Sequence, residues 1–314
     1  MGRCSARIKT DLRFISAVLF CLLLFCRIGK TGSVLAETPA SNPDNFPEFA
    51  ENASGRYYTV RSEDIIVLEL IPAFGRLFAS VGYYMDGKSL YSYYAAEIQP
   101  LCPAGSESCP YHHSQKSYDV YVRLFSNMSM AGSYWPGETF QRLTVIENGL
   151  LISDHAGDGY GLVSEEDTLM NQRDELPSMF PYGPEEAGGI FGDGTTGTVP
   201  EFLTGSWTAS AQEENTTASV RFSLGPDGTI TMLCEQDDGY PPLFLKGGVS
   251  VSLTEGDGVE LCYLMSSPSS GTMPYSGCVP FGTTDGKLTA ERAAGEYEGL
   301  FLPENAETMI YERE

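Results

Sequence analysis

Apolar and polar positions alternate with a period of two through much of this chain, and turn dipeptides interrupt the runs. In Val220-Arg221-Phe222-Ser223-Leu224 every second residue is apolar, which marks a strand with one buried and one wet face. Four pairs of runs flank turn signals. Ala79–Tyr84 and Ser89–Ala95 enclose Met85-Asp86-Gly87-Lys88, and Arg142–Glu147 and Leu150–Ser153 enclose Asn148-Gly149. Ser219–Leu224 and Thr229–Cys234 enclose Gly225-Pro226-Asp227-Gly228, and Val249–Leu253 and Val259–Met265 enclose Glu255-Gly256-Asp257-Gly258. Asp-Gly and Asn-Gly supply the positive φ that tight hairpins need. Asp64–Leu70, with Ile-Ile-Val-Leu, suits a strand better than a helix. No helix longer than about three turns is predicted.

Residues 165–200 break the pattern. They are rich in acids, Gly, Pro and Thr, the composition of a long loop or linker. They separate a first β domain, 51–164, from a second, 201–314, and residues 37–50, with three prolines, read as a loose leader. The fold class predicted is all-β: two antiparallel β-barrel or β-sandwich domains joined by a Gly/Pro/acid-rich linker. Gly55-Arg56-Tyr57 returns as Gly205-Ser206-Trp207, 150 residues later, and Gly75 is echoed by Gly228 at a separation of 153. These coincidences suggest a repeat.

The second half opens Leu203-Thr204-Gly205-Ser206-Trp207 and continues through Val220-Arg221-Phe222 to Asp227-Gly228-Thr229-Ile230-Thr231. This resembles the small lipocalin-like barrels of secreted bacterial proteins, which begin with a Gly-x-Trp strand and carry a Phe…Asp-Gly-Thr hairpin. The resemblance covers a minor part of the chain. It implies a closed or nearly closed meander barrel and transfers no activity, because such barrels host many functions.

The N-terminus changes the compartment. Arg3, Arg7, Lys9 and Arg13 precede the apolar run Phe14–Cys26, and Ser33-Val34-Leu35-Ala36 follows. A basic start, an apolar run of that length and a small-residue cleavage site make a secretory signal peptide over 1–36. A retained anchor is the other reading, and either one places the rest of the chain outside the cytosol, extracellular or at the cell surface. Beyond residue 36 there are 13 basic and 41 acidic residues, a net charge of −28. Such an excess argues against nucleic acid, whose binding needs Lys and Arg. No second apolar stretch is long enough for a span.

Five cysteines lie beyond the signal segment: Cys102, Cys109, Cys234, Cys262 and Cys278. Cys102 and Cys109 enclose a turn-rich loop that a disulfide could close. The other three cannot all pair among themselves. The histidines are His112, His113 and His155. Cys102, Cys109, His112 and His113 fall close together, and Cys/His mixtures bind zinc, but adjacent histidines on an extended segment point opposite ways. His112 and His113 are therefore candidate metal ligands against a plainer reading, a disulfide-closed surface loop. Asp154-His155-Ala156-Gly157-Asp158-Gly159 is an acidic glycine turn without the EF-hand pattern. No nucleophile elbow and no cofactor motif occur, so neither a catalytic residue nor a cofactor is assigned.

Tyr83, Tyr84, Tyr91, Tyr93 and Tyr94 crowd one predicted hairpin. Neighbours on a strand face opposite sides, so some of these rings are expected to be exposed. Polar-tipped aromatic rings suit contact with sugars or proteins; cross-strand pairing within the hairpin is the competing use. The expectation is a secreted or cell-surface binding module for a carbohydrate or protein partner. An extracellular metal-assisted hydrolase and a purely structural envelope protein are the alternatives. Asn52, Asn127 and Asn215 sit in glycosylation sequons.

Overall fold

A computed structural model describes residues 45–314 except 62, 86–88, 103–105, 107–108, 127–134, 154–158, 165–177, 192–198, 214–215, 238–240, 255–257, 269–272, 292–299 and 304–305. The signal segment 1–36 and the turn at His155 lie outside the described residues. Among the described residues no helix is long and apolar enough to cross a membrane.

The first half contains β1 (Gly55–Arg61), β2 (Asp64–Ala73), β3 (Arg76–Met85), β4 (Ser89–Pro100), β5 (Ser117–Ser126), β6 (Trp135–Ile146), β7 (Gly149–Ser153) and β8 (Gly159–Ser164). Each strand pairs antiparallel with the next, and β8 returns to β1 through Tyr57↔Ser164 and Tyr58↔Val163, closing a barrel. The second half repeats the meander with β9 (Gly205–Glu213), β10 (Thr216–Leu224), β11 (Thr229–Gln236), β12 (Leu243–Leu253), β13 (Val259–Ser266), β14 (Pro274–Thr284), β15 (Lys287–Glu291) and β16 (Thr308–Arg313). It closes through Thr208↔Glu312 and Trp207↔Arg313. The alternatives of barrel and sandwich thus resolve to two closed eight-stranded barrels, and the four hairpins stand where the turn dipeptides placed them.

The period-two pattern decides what each barrel holds. In β10 the even residues Val220, Phe222 and Leu224 are buried inside, while Arg221 and Ser223 face out. An eight-stranded barrel is just wide enough for side chains to fill. In barrel two Trp207, Phe222, Tyr263, Phe281, Phe301 and Tyr311 do so, with Phe222 meeting Phe301 and Tyr311 edge-on at 5.1 Å. In barrel one Leu68, Leu77, Tyr118, Leu143 and Leu150 occupy the same place. This apolar-in alternation is the reverse of that in membrane-spanning barrels.

Residues 37–50, read as a loose leader, end instead in a helix, α1 (Phe46–Ala53). Phe46, Phe49, Ala50 and Ala53 recur at helical spacing and are all buried, with Phe46 and Phe49 against Tyr118 at 5.3 and 5.2 Å. Eight residues cannot hold a helix alone. Packing over the mouth of barrel one does, and the early Pro47 is tolerated in the first turn.

The repeat is visible as hardware. Tyr57 Oη donates to Ala53 O at 3.0 Å, and Trp207 Nε1 donates to Leu203 O at 2.8 Å. Both aromatics start the first strand of a barrel, and both bonds span four residues. Gly75 and Gly228 each take positive φ, 70° and 86°, in the turn after their barrel's second strand.

Phe222 is fully buried at the centre of barrel two. Phe222→Ala is expected to lower unfolding free energy by about 3–5 kcal/mol in urea titration. Ser223→Ala, next to it on the outer face, should change it by less than about 0.5 kcal/mol.

Candidate functional site

The outer faces of β1–β3 carry apolar residues that a free barrel would leave wet: Tyr58, Ile65, Val67, Ile71, Phe78 and Tyr84. Barrel two answers with Leu233 on β11 and Phe244 on β12. Phe78 stacks on Phe244 at 4.3 Å and 10°. Between the barrels runs a strap, residues 178–191 of the segment 165–200. Its Met179 and Phe180 are buried in this cluster, and Phe180 meets Phe244 edge-on at 6.0 Å. The strap continues into a second helix, α2 (Pro184–Phe191), packed on β12 and β13. It fits because Gly248 has no side chain: a Cβ there would lie 2.2 Å from the Gly183 backbone.

Charged groups frame the apolar contact. Arg76 of β3 donates to Glu97 of β4 and to Glu235 of β11, each at 2.6 Å, so one guanidinium ties the two barrels. Lys246 of β12 lies 3.3 Å from Glu69 of β2, and Ser178 Oγ donates to the same carboxylate at 3.3 Å. Glu69 and Glu97 project outward from their strands yet are only 7% and 2% exposed. Burial works against the Arg76 charge, but the hydrogen bonds and charges of Glu235 and Glu97 outweigh it and hold its pKa above the ordinary value. Ser266 Oγ donates to Met179 O at 3.1 Å.

At the rim of this junction is a cleft of about 280 Å³. Glu51 of α1 and Phe74 and Arg76 of barrel one form one wall; Ser206, Ser223 and Thr231, on the outer face of barrel two, form the other. Phe74 and Gly75 make the two-residue turn between β2 and β3, with φ of 54° and 70°. Such turns favour Asn or Asp before Gly, as Asp285-Gly286 does between β14 and β15, at 52° and 75°. A phenylalanine in the left-handed region costs roughly 1–2 kcal/mol. Strain of this kind gathers at functional positions, and here it sets an aromatic residue in the cleft wall.

A second cluster lies on the loop between β4 and β5. Cys102 and Cys109 form a disulfide. His113 is fully buried, with Nε2 3.6 Å from Cys109 Sγ and its ring 4.5 Å from Tyr118. Among the described residues its Nδ1 has no hydrogen-bond partner. Burial lowers its pKa, with Asp119 opposing the shift and His112 adding to it. His112 is directed elsewhere: its backbone N–H donates to Asp119 Oδ2 at 2.8 Å and its Nε2 lies 3.5 Å from Ser114 Oγ. Arg142 grips Asp119 from the neighbouring strand at 2.5 and 2.9 Å. The atoms that converge are those of Cys102, Cys109 and His113, all within 4.8 Å of one another.

The tyrosine hairpin divides between faces. Tyr84 is buried in the junction, its Oη 3.6 Å from Met179 Sδ and its pKa pushed up to about 12 by burial, with Glu69 adding to the rise and Arg56 opposing it. Tyr93 packs against the same cluster. Tyr83 is half-buried and donates to Asp64 at 2.5 Å. The Tyr91 and Tyr94 side chains lie outside the described residues. Phe74, Arg76, Glu97 and Glu235, which build the cleft and junction, carry no linear signal, since their meeting depends on how the barrels dock. No protein-family model, curated protein or solved structure matches the chain.

Of the remaining cysteines, Cys262 and Cys278 face each other across β13 and β14 and form a disulfide on the outer face of barrel two. Cys234 is free. The residue is half-buried, but its sulfur packs on the barrel-two core, 3.8 Å from Leu300 O, and burial, with Glu235 adding, pushes the thiol up to about 12.

Gly248→Val should unseat the strap, lowering stability by about 1–3 kcal/mol and opening residues 178–191 to limited proteolysis, followed by mass spectrometry. Cys234 should resist alkylation at pH 8.5 in the native protein and react once unfolded. Because its folded pKa is raised, its contribution to stability is present below the ordinary thiol pKa and lost as pH rises above it, read by urea melts between pH 8 and 10.

Proposed function

We propose that the protein is a secreted or cell-surface binding module that holds a carbohydrate in the cleft between its barrels. The observation that carries this reading is the filling of both barrels. Side chains occupy the interiors, so a ligand has to be met on the outside. The lipocalin-like resemblance of the second half accordingly extends to the meander barrel and not to a ligand held within it.

The cleft has suitable chemistry. A partly apolar wall at Phe74 can take the face of a sugar ring, and the hydroxyls of Ser206, Ser223 and Thr231 with the charged Glu51 and Arg76 can meet ring hydroxyls. Its volume is near the lower end of small-ligand pockets, room for a short glycan segment. The basic-apolar start and the two disulfides support export. A protein segment in the same cleft is the competing occupant.

The test is a glycan array probed with the wild type and with Thr231→Trp, which fills the cleft from barrel two's outer face. A glycan bound by the wild type and weakened at least about tenfold in the variant, with unchanged melting, supports the reading. Glycan binding indifferent to the substitution, or no glycan bound at all, overturns it; a protein partner captured instead by cross-linking and blocked by Thr231→Trp would transfer the cleft to that class.

A further inference from the structure

We propose that reduction of the Cys102–Cys109 disulfide turns this loop into a zinc site in which Cys102 Sγ, Cys109 Sγ and His113 Nε2 are the protein ligands. The site is independent of the cleft and of the ligand proposed there.

The geometry is close to formed in the oxidised protein. Zinc bonds of ~2.3 Å to sulfur and ~2.0–2.1 Å to nitrogen set a tetrahedral S···N edge of roughly 3.5–3.6 Å. Cys109 Sγ and His113 Nε2 are already 3.6 Å apart. Breaking the S–S bond lets Cys102 Sγ withdraw to non-bonded distance from its partner, roughly the S···S edge of such a centre. Cys102 and His113 are buried and Cys109 is half-buried, so the ion would be reached from the Cys109 side. Water would take the fourth position. His112 does not supply it, because its ring is turned to Ser114.

The charges also balance. The disulfide takes two electrons and two protons from a dithiol, which is itself oxidised to a disulfide, and yields two thiols. Zinc then displaces both protons. Two thiolates, one neutral imidazole and Zn²⁺ sum to zero, the arrangement that costs least in a buried place. Among the described residues the buried imidazole has a sulfur beside Nε2 and no partner at Nδ1; a metal at Nε2 replaces that weak sulfur contact with a strong bond and places the ring proton on Nδ1.

The full chain, oxidised or reduced with a phosphine, is equilibrated with zinc and examined by native mass spectrometry, and cobalt replaces zinc for absorption spectroscopy. The expected result is one ion per reduced chain, none on the oxidised chain, and a thiolate-to-cobalt charge-transfer band. Zinc should protect Cys102 and Cys109 from alkylation while Cys262 and Cys278 stay reactive, a readout that needs no variant. His113→Gln should weaken zinc by at least the roughly 10–100-fold that loss of an outer-shell partner costs, with circular dichroism unchanged. Equal zinc on both redox forms, protection of Cys262 and Cys278 instead, or full affinity in folded His113→Gln would overturn the assignment.

Discussion

Closing a β-meander on itself commits every residue of every strand to one of two sides, and the rest of this molecule follows from that commitment. With eight strands the inner side has room only for side chains, and here it is taken by Trp207, Phe222, Phe281 and Tyr311 in one barrel and by Leu68, Leu77, Tyr118 and Leu150 in the other. A closed sheet has no free edge to offer a partner. What remains for recognition is the outer face and the loops. The outer face has in turn been used to dock the barrels, through Phe78 against Phe244 and through the strap at Met179 and Phe180.

That docking explains why acids can be buried on faces that ordinarily stay wet. Glu69 and Glu97 each point away from their own barrel's core and are nonetheless buried, Glu69 beneath Ser178 of the strap and Lys246 of the second barrel, Glu97 beside the Arg76 that reaches across to Glu235. Lys246 and Ser178 meet the two oxygens of Glu69, and Arg76 meets Oε1 of Glu97, whose Oε2 has no partner among the described residues. The cleft at the rim belongs to neither barrel alone. Its Phe74 comes from one and its hydroxyls from the other.

How much of this is legible in sequence differs by level. The hairpins at Asn148-Gly149 and Asp227-Gly228 are local, written in dipeptides that favour one backbone shape, and they can be read directly. The repeat is legible at Gly55 and Gly205 because the tether from Tyr57 or Trp207 spans only four residues. The helix over Phe46–Ala53 is not, because one repeat of helical spacing beside Pro43 and Pro47 is too short to stand out and its stability depends on a barrel mouth assembled from distant strands. The cluster of Cys102, Cys109 and His113 is half visible: spacing brings the residues near, but which histidine turns inward is settled by the pairing of His113 with Tyr118. The tyrosines of the 83–94 hairpin look like a face because a strand's two sides are indistinguishable in sequence until something is known to cover one of them. The meeting of Arg76 with Glu235 spans 159 residues and leaves no local mark.

The same junction has a colloidal side. Residues 51–164, 165–200 and 201–314 each hold more acids than bases, so two bodies and the strap between them are bound together against mutual repulsion. That repulsion acts over distances comparable with the Debye length, about 8 Å at physiological salt and roughly 30 Å in dilute buffer. The ion pairs at Arg76 and Lys246 act at contact and are partly sheltered from solvent. Ionic strength therefore weakens what pushes the barrels apart more than what holds them, and the docked arrangement belongs to salty surroundings.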